Sequence, residues 1–200
     1  MKMPTIVRRL SLAIALLGSM VVAGGAQKTQ TVPPQMPPGL PMFSPADLAA
    51  KVPRPRPEDV ESVNAIVKAA YDAISGPAGP RDWNRFRSLF LPQARFTQVG
   101  EGPDGAKFVI SWGVEEFIRD ASPIFAKDPF YENAFINRPQ GFGGMMQVFS
   151  GYESKRTPNG KPFERGVNSF QVLNDGKRCW IVSIFWDSER PDNPLPTTLR

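Results

Sequence analysis

Three acids on segments that read as strands, Glu132, Glu153 and Asp187, are the side chains of this chain best suited to proton transfer. A carboxylate becomes a useful general base only when it is desolvated and its pKa rises toward neutrality, so the chemistry requires one of them to sit deep in an apolar cavity. Tyr131, Asn133, Gln147 and Trp186 on the same segments, and Arg165 on a further strand, supply the few polar and aromatic groups that would orient a small ligand. Arg165 and Asn168 fall on opposite faces of one strand, so at most one of them points inward. Acids on strands also serve as partners in surface ion pairs, and that use is the commoner one.

Other chemistries are excluded by composition. The chain of 200 residues contains no histidine, which removes Ser-His-Asp and Cys-His nucleophilic catalysis together with the usual zinc sites. Cys179 is the one cysteine, so no disulfide forms within the chain, and its place in Cys-Trp-Ile-Val reads as a buried, inert thiol. The run Gly141-Phe142-Gly143-Gly144 lacks the Lys-Ser/Thr continuation and the following helix of a phosphate loop, and reads as a bend between strands. No metal and no cofactor is expected.

The elements that must position these residues follow from punctuation and period. Lys2, Arg8 and Arg9, the apolar run 10–22 and the small residues 23–26 have the grammar of an export signal, with cleavage expected after Ala26 and a periplasmic or secreted location. Contact with a membrane is expected only through that segment, if it is retained. Its removal leaves 21 bases against 19 acids, a net charge of +2 in place of +5, and the arginines are interspersed with acids; nucleic acid is discounted as a partner. Residues 27–56 are proline-rich and read as an extended tether, with a short apolar patch at Met42, Phe43 and Leu48. Residues 191–200 read as a proline-rich tail.

Between them, the spacing Val60, Val63, Ile66, Val67, Ala70, Tyr71, Ile74 predicts one amphipathic helix from Pro57. A shorter helix follows Asp82 and closes at Pro92, and a hairpin runs from Ala94 to Ser111. A third helix spans Trp112 to Phe125, interrupted at Ser122-Pro123. Four long strands then occupy 130–140, 144–156, 163–173 and 178–189, with turns at Thr157-Pro158-Asn159-Gly160 and Asn174-Asp175-Gly176. The layout is α+β: three helices on a mainly antiparallel, strongly curved sheet. Both faces of the last strand carry apolar bulk, which predicts a homodimer through the sheet face.

Residues 57–190 resemble the nuclear transport factor 2-like superfamily, with its SnoaL-like and ketosteroid-isomerase-like members. The resemblance is carried by Ser88-Leu89-Phe90-Leu91-Pro92-Gln93-Ala94-Arg95-Phe96, by Gly113-Val114-Glu115-Glu116-Phe117-Ile118, and by the closing strand with Trp180, Phe185 and Trp186. It implies a cone-shaped α+β barrel around one pocket. Isomerase-like members place an acid on the strand after the second helix, where this chain has Thr97 and Gln98; dehydratase-like members rely on histidine; epoxide-hydrolase-like members cluster two acids and an arginine, for which Glu153, Arg165 and Asp187 are the candidates. The leading expectation is therefore an exported pocket that binds a small organic ligand. Its rivals are an acid/base enzyme of isomerase, cyclase or hydrolase type, and a dimeric protein-interaction module. A desolvated acid in the cavity wall favours the enzyme.

Overall fold

The computed structural model describes residues 43–199, and the export-signal residues lie outside that range. Within the stretch expected to be an extended tether, Pro45–Ala49 forms a short helix, α1. Ser44 and Asp47 cap it reciprocally, and Leu48 is buried. The helix expected from Pro57 onward is two, α2 (Pro57–Val60) and α3 (Val63–Ile74). The correction has a local cause: Ser62 is extended, with φ −149°, and its hydroxyl accepts the amide of Ala65, so a new N-terminus starts there. An ion pair ties α2 to the next helix, α4 (Trp83–Ser88). Buried Asp59 takes two 2.8 Å bonds from the Arg85 guanidinium, which holds its carboxyl below the usual range.

The second correction concerns α5 (Val114–Lys127), which runs unbroken through Pro123. Proline there forgoes one backbone bond. The Ser122 hydroxyl bonds the carbonyl of Ile118 at 2.5 Å, and Ala121 and Phe125 keep the same face buried on both sides of the proline.

Strands β1 (Phe90–Glu101), β2 (Lys107–Trp112), β3 (Tyr131–Phe142), β4 (Met145–Lys155), β5 (Glu164–Asn174) and β6 (Cys179–Ser188) form one sheet in the order β2-β1-β6-β5-β4-β3. Four of the five pairings are antiparallel and β1 with β6 is parallel, so the sheet is mixed. The register breaks between Phe90 and Arg95, between Ala134 and Ile136, and between Gln171 and Val172; irregularities of this kind bend the strands that carry them. The run at 141–144 supplies the β3–β4 turn, where Gly143 at φ +57° takes the left-handed conformation that favours glycine.

The apolar side of α3 packs on one face of this sheet through Ile66, Val67, Ala70 and Tyr71. Phe86, Phe96 and Phe117 stack between α4, β1 and α5, with ring centroids 4.7–5.7 Å apart. The other face is partly open. In the single chain Val182 is 38% and Phe185 50% exposed, along the middle of β6. Trp180, by contrast, is fully buried, with its indole N–H on Asp175 at 2.8 Å and the Arg178 guanidinium 3.7 Å above its ring. Burial raises the pKa of the neighbouring Cys179 thiol, as expected for an inert sulfur. Residues 191–199 fold back as well: Leu195 and Leu199 are buried, and the Thr198 carbonyl accepts a bond from Arg138 at 3.3 Å.

Candidate functional site

Between the helices and the inner sheet face lies a cavity of about 420 Å³, lined chiefly by aromatic rings: Phe86, Phe96, Trp112, Phe117, Phe125, Phe130, Phe163, Phe170 and Trp186. Trp112 and Trp186 lie parallel at 5.9 Å and form one stretch of wall, and the Trp112 N–H is taken up by Asp120 at 3.1 Å. That size suits a small organic molecule.

A buried polar network interrupts this apolar wall. It is assembled by strand alternation: β4 sends Ser150, Tyr152 and Ser154 inward, β5 sends Glu164 and Asn168, β3 sends Glu132, and α3 adds Tyr71. The Asn168 amide donates to the Tyr71 oxygen at 3.0 Å, and the Tyr71 and Ser150 hydroxyls share a bond of 2.7 Å. Ser154 donates to Glu132 Oε2 at 2.7 Å. The hydroxyls of Tyr152 and Ser188 both donate to Glu164 Oε1, at 2.9 and 2.6 Å.

Glu132 is the chemically loaded member. Desolvation pushes its carboxyl up to about 7, helped by the negative charge of Glu164 and opposed by hydrogen bonds from Ser154 and Asn168. Among the described residues, neither Glu132 nor Glu164 has an ion-pair partner. A carboxyl in that state exchanges a proton near neutral pH, which is what general acid–base work demands. Burial likewise drives the phenols of Tyr71 and Tyr152 upward, so both stay protonated and act as hydrogen-bonding groups. Among the described residues no cluster of three metal-ligating side chains occurs.

Of the residues singled out from sequence, Glu132 and Trp186 line the cavity, as does Gln98 on the strand after the second helix. Tyr131 and Asn133 flank Glu132 and do not line it, because neighbours on a strand alternate faces. Asn133 instead reaches Glu153, at 3.3 Å, and Glu153 pairs with Lys155 at 2.5 Å. Gln147 sits opposite Gln171 on the outer face. Arg165 pairs with Glu189 at 3.5 Å and lies over the Phe135 ring, and Asp187 pairs with Arg190 at 2.6 Å. The set Glu153, Arg165 and Asp187 is thus divided among separate ion pairs, and none of the three lines the cavity. Sequence reading missed Glu164, Tyr152 and Ser154, whose signal was parity: all three share the even-numbered inward phase of Ser150 and Asn168.

No family model matches the sequence, and the curated proteins yield no match either. Among solved structures, the domain is similar to an NTF-2 like protein of unknown function from Silicibacter pomeroyi. The two are 15% identical, the match covers 64% of this chain and 94% of that one, and the TM-score is 0.47. An uncharacterized protein with a cystatin-like fold from Caulobacter vibrioides is 12% identical over 66% and 90% of the two chains, with a TM-score of 0.48. A protein of unknown function with a cystatin-like fold from Nostoc punctiforme is 10% identical over 68% and 98%, with a TM-score of 0.47. Each likeness is one of fold alone.

Proposed function

We propose that this domain is an acid–base catalyst for a small, largely apolar organic molecule, with Glu132 as the group that takes up and returns the proton. The observation that carries the reading is a carboxyl in the wall of an aromatic cavity, bonded by Ser154 and accompanied by a second acid in place of a cation. Such an environment costs stability and is commonly retained where a group must titrate near neutrality. The aromatic wall would hold the hydrocarbon part of the substrate, and Asn168 and Tyr71 would fix the network behind the acid. Placement outside the cytoplasm rests on the sequence of residues 1–26, and no helix among the described residues is long and apolar enough to cross a membrane.

Titration of carbon-13-labelled glutamate carboxyls by NMR tests this directly. One resonance should titrate near pH 7 and vanish in Glu132→Gln. A spectrum in which every glutamate titrates below about pH 5 refutes the proposal.

Pairing of two copies through the outer sheet face belongs to the same reading. It is supported by Phe149, Val182 and Phe185, all exposed on that face. Sedimentation of the leaderless chain should give a dimer that Phe185→Asp converts to monomer; a monomeric wild type would overturn this part alone.

A further inference from the structure

The cavity floor offers a ligand acceptors and almost no donors. Tyr152 and Ser188 spend their hydroxyl protons on Glu164, and Ser154 spends its own on Glu132. One Asn168 N–H goes to Tyr71 and its amide also lowers the Glu132 carboxyl; the Tyr71–Ser150 pair shares a single bond and so keeps one hydroxyl proton. What remains without a partner is Glu132 Oε1, Glu164 Oε2 and the side-chain carbonyl of Asn168, a residue only 6% exposed that lines the cavity. Further donors lie toward the less buried wall, on Gln98 and Trp186, while Arg156 is exposed, lies over the Phe163 ring and bonds the Pro129 carbonyl. Asp120, the third acid of the lining, is already engaged by Arg119 and Trp112.

We propose that the molecule this cavity accepts is a lipophilic organic cation, a protonated amine whose N–H groups bond Glu164 Oε2 and the Asn168 carbonyl while its hydrocarbon body lies against the Trp112–Trp186 wall. Three facts converge on that class. Two acids without a counter-ion lack a positive charge, the unspent hydrogen-bonding capacity of the floor is mainly that of acceptors, and aromatic faces attract cations through their quadrupoles. A carboxylate ligand would meet like charge at the floor, with donors to offset it only at the less buried wall. A metal ion would find two carboxylates and one carbonyl but, among the described residues, no third ligating acid or imidazole grouped with them. With the ammonium on Glu164, the free oxygen of Glu132 remains available for proton transfer, so the inference names the substrate class of the site proposed above and rests on that reading.

The charge of the site also sets the pH dependence. Glu132 is faced by Ser154 and Tyr152 from β4, by Glu164 and Asn168 from β5 and by Tyr71 from α3. None of these supplies a positive charge, so ionisation of Glu132 adds a second negative charge that only the ligand compensates. Affinity for a cation should therefore rise as Glu132 ionises.

Calorimetric titration of the leaderless protein with three probes of similar shape provides the test: phenethylamine, 3-phenylpropanol and 3-phenylpropionate. Phenethylamine should bind about tenfold or more tightly than the alcohol at pH 8, the difference expected of one charge-assisted bond. Its affinity should fall several-fold between pH 8 and pH 5.5. Glu164→Gln should remove that preference, and a melting temperature and circular dichroism spectrum like the wild type's show that the variant is folded. Equal or weaker binding of the amine, absence of amine binding, preference for the propionate, or an amine preference that survives Glu164→Gln overturns the inference. The carboxyl titration of ligand-free protein separates the two levels. A Glu132 that titrates near 7 without amine preference sinks only the substrate class, whereas one that titrates like a free glutamate sinks the acid–base reading itself.

Discussion

At pH 8.5 the Glu132→Gln protein should be more stable than the wild type by roughly 2–3 kcal/mol, and at pH 4 the two should be equally stable. The sign follows from linkage. Glu132 titrates near 4.5 in an open chain and at about 7 in the folded protein, so the folded state holds its proton more tightly. Below pH 4.5 both states are protonated and folding carries no penalty. As pH rises from 4.5 to 7 the unfolded chain releases a proton that the folded chain retains, and stability falls. Above 7 the loss levels off near 3 kcal/mol, at about 1.4 kcal/mol for each pH unit between the two values. Glutamine keeps the shape and the acceptor for Ser154 but never ionises, so it avoids the whole loss. For a domain of this size the gain amounts to a rise of roughly 5–10 °C in Tm. Asp59, held low by Arg85, contributes the opposite slope, with stability lost as pH falls through its folded value; it does so equally in both proteins and cancels from the difference. Melting curves across pH 4–9 decide the matter, and parallel curves would show that the Glu132 environment imposes no ionisation cost.

That contrast, if measured, would set Glu132 apart from residues that serve only the fold. Groups that serve only the fold gain from their surroundings, as Asp59 does from two guanidinium bonds, whereas a carboxyl set beside another acid in an aromatic cavity loses. Substitutions that stabilise while removing a function are the expected signature of an active site.

How far the sequence reaches can be seen in the same residues. The apolar period of Ile66, Val67, Ala70 and Tyr71 identified α3, and the turns at 157–160 and 174–176 separated the long strands correctly, because period and turn chemistry are local properties. The break at Ser62 was also local, yet the apolar stripe continued across it and masked the new cap. Strand faces were harder. On β6 the outward Val182 and Phe185 are as apolar as the inward Ile184, so hydrophobicity could not tell core from surface. Parity alone would have refused Tyr131 and Asn133 once Glu132 was placed inward. The polar network lies beyond local reading: Tyr71 meets Asn168 and Ser150 across separations of 97 and 79 residues, and only the β4–β5 pairing and the docking of α3 bring them together. Glu164 was missed for a related reason, since a strand's first residue looks like a turn acid until its partners Tyr152 and Ser188 are known.

The largest kinetic effect should be seen with a substrate that asks for nothing but a base. In 5-nitrobenzisoxazole a carboxylate removes the proton on the ring carbon beside nitrogen. The electron pair released forms the nitrile as the N–O bond breaks, and the phenolate leaves carrying the charge. No metal, cofactor or second proton donor is needed, and the flat apolar ring suits a wall built from Trp112, Trp186, Phe96 and Phe117. Wild-type protein should accelerate this reaction over free acetate, and Glu132→Gln should reduce the protein-dependent rate by a factor of about 100 to 10,000, the range attributed to a positioned general base. The rate should climb with pH along the ionised fraction of Glu132, half-maximal at about 7 and level above about 8, where an ordinary surface carboxylate would have levelled below 6. Ser154→Ala supplies the graded control. Removing the bond at Glu132 Oε2 raises the carboxyl further, so the whole profile should move to higher pH with the cavity otherwise intact. A rate unaffected by Glu132→Gln, or a profile that ignores Ser154→Ala, would assign the proton transfer to some other group and remove the basis for catalysis at this site.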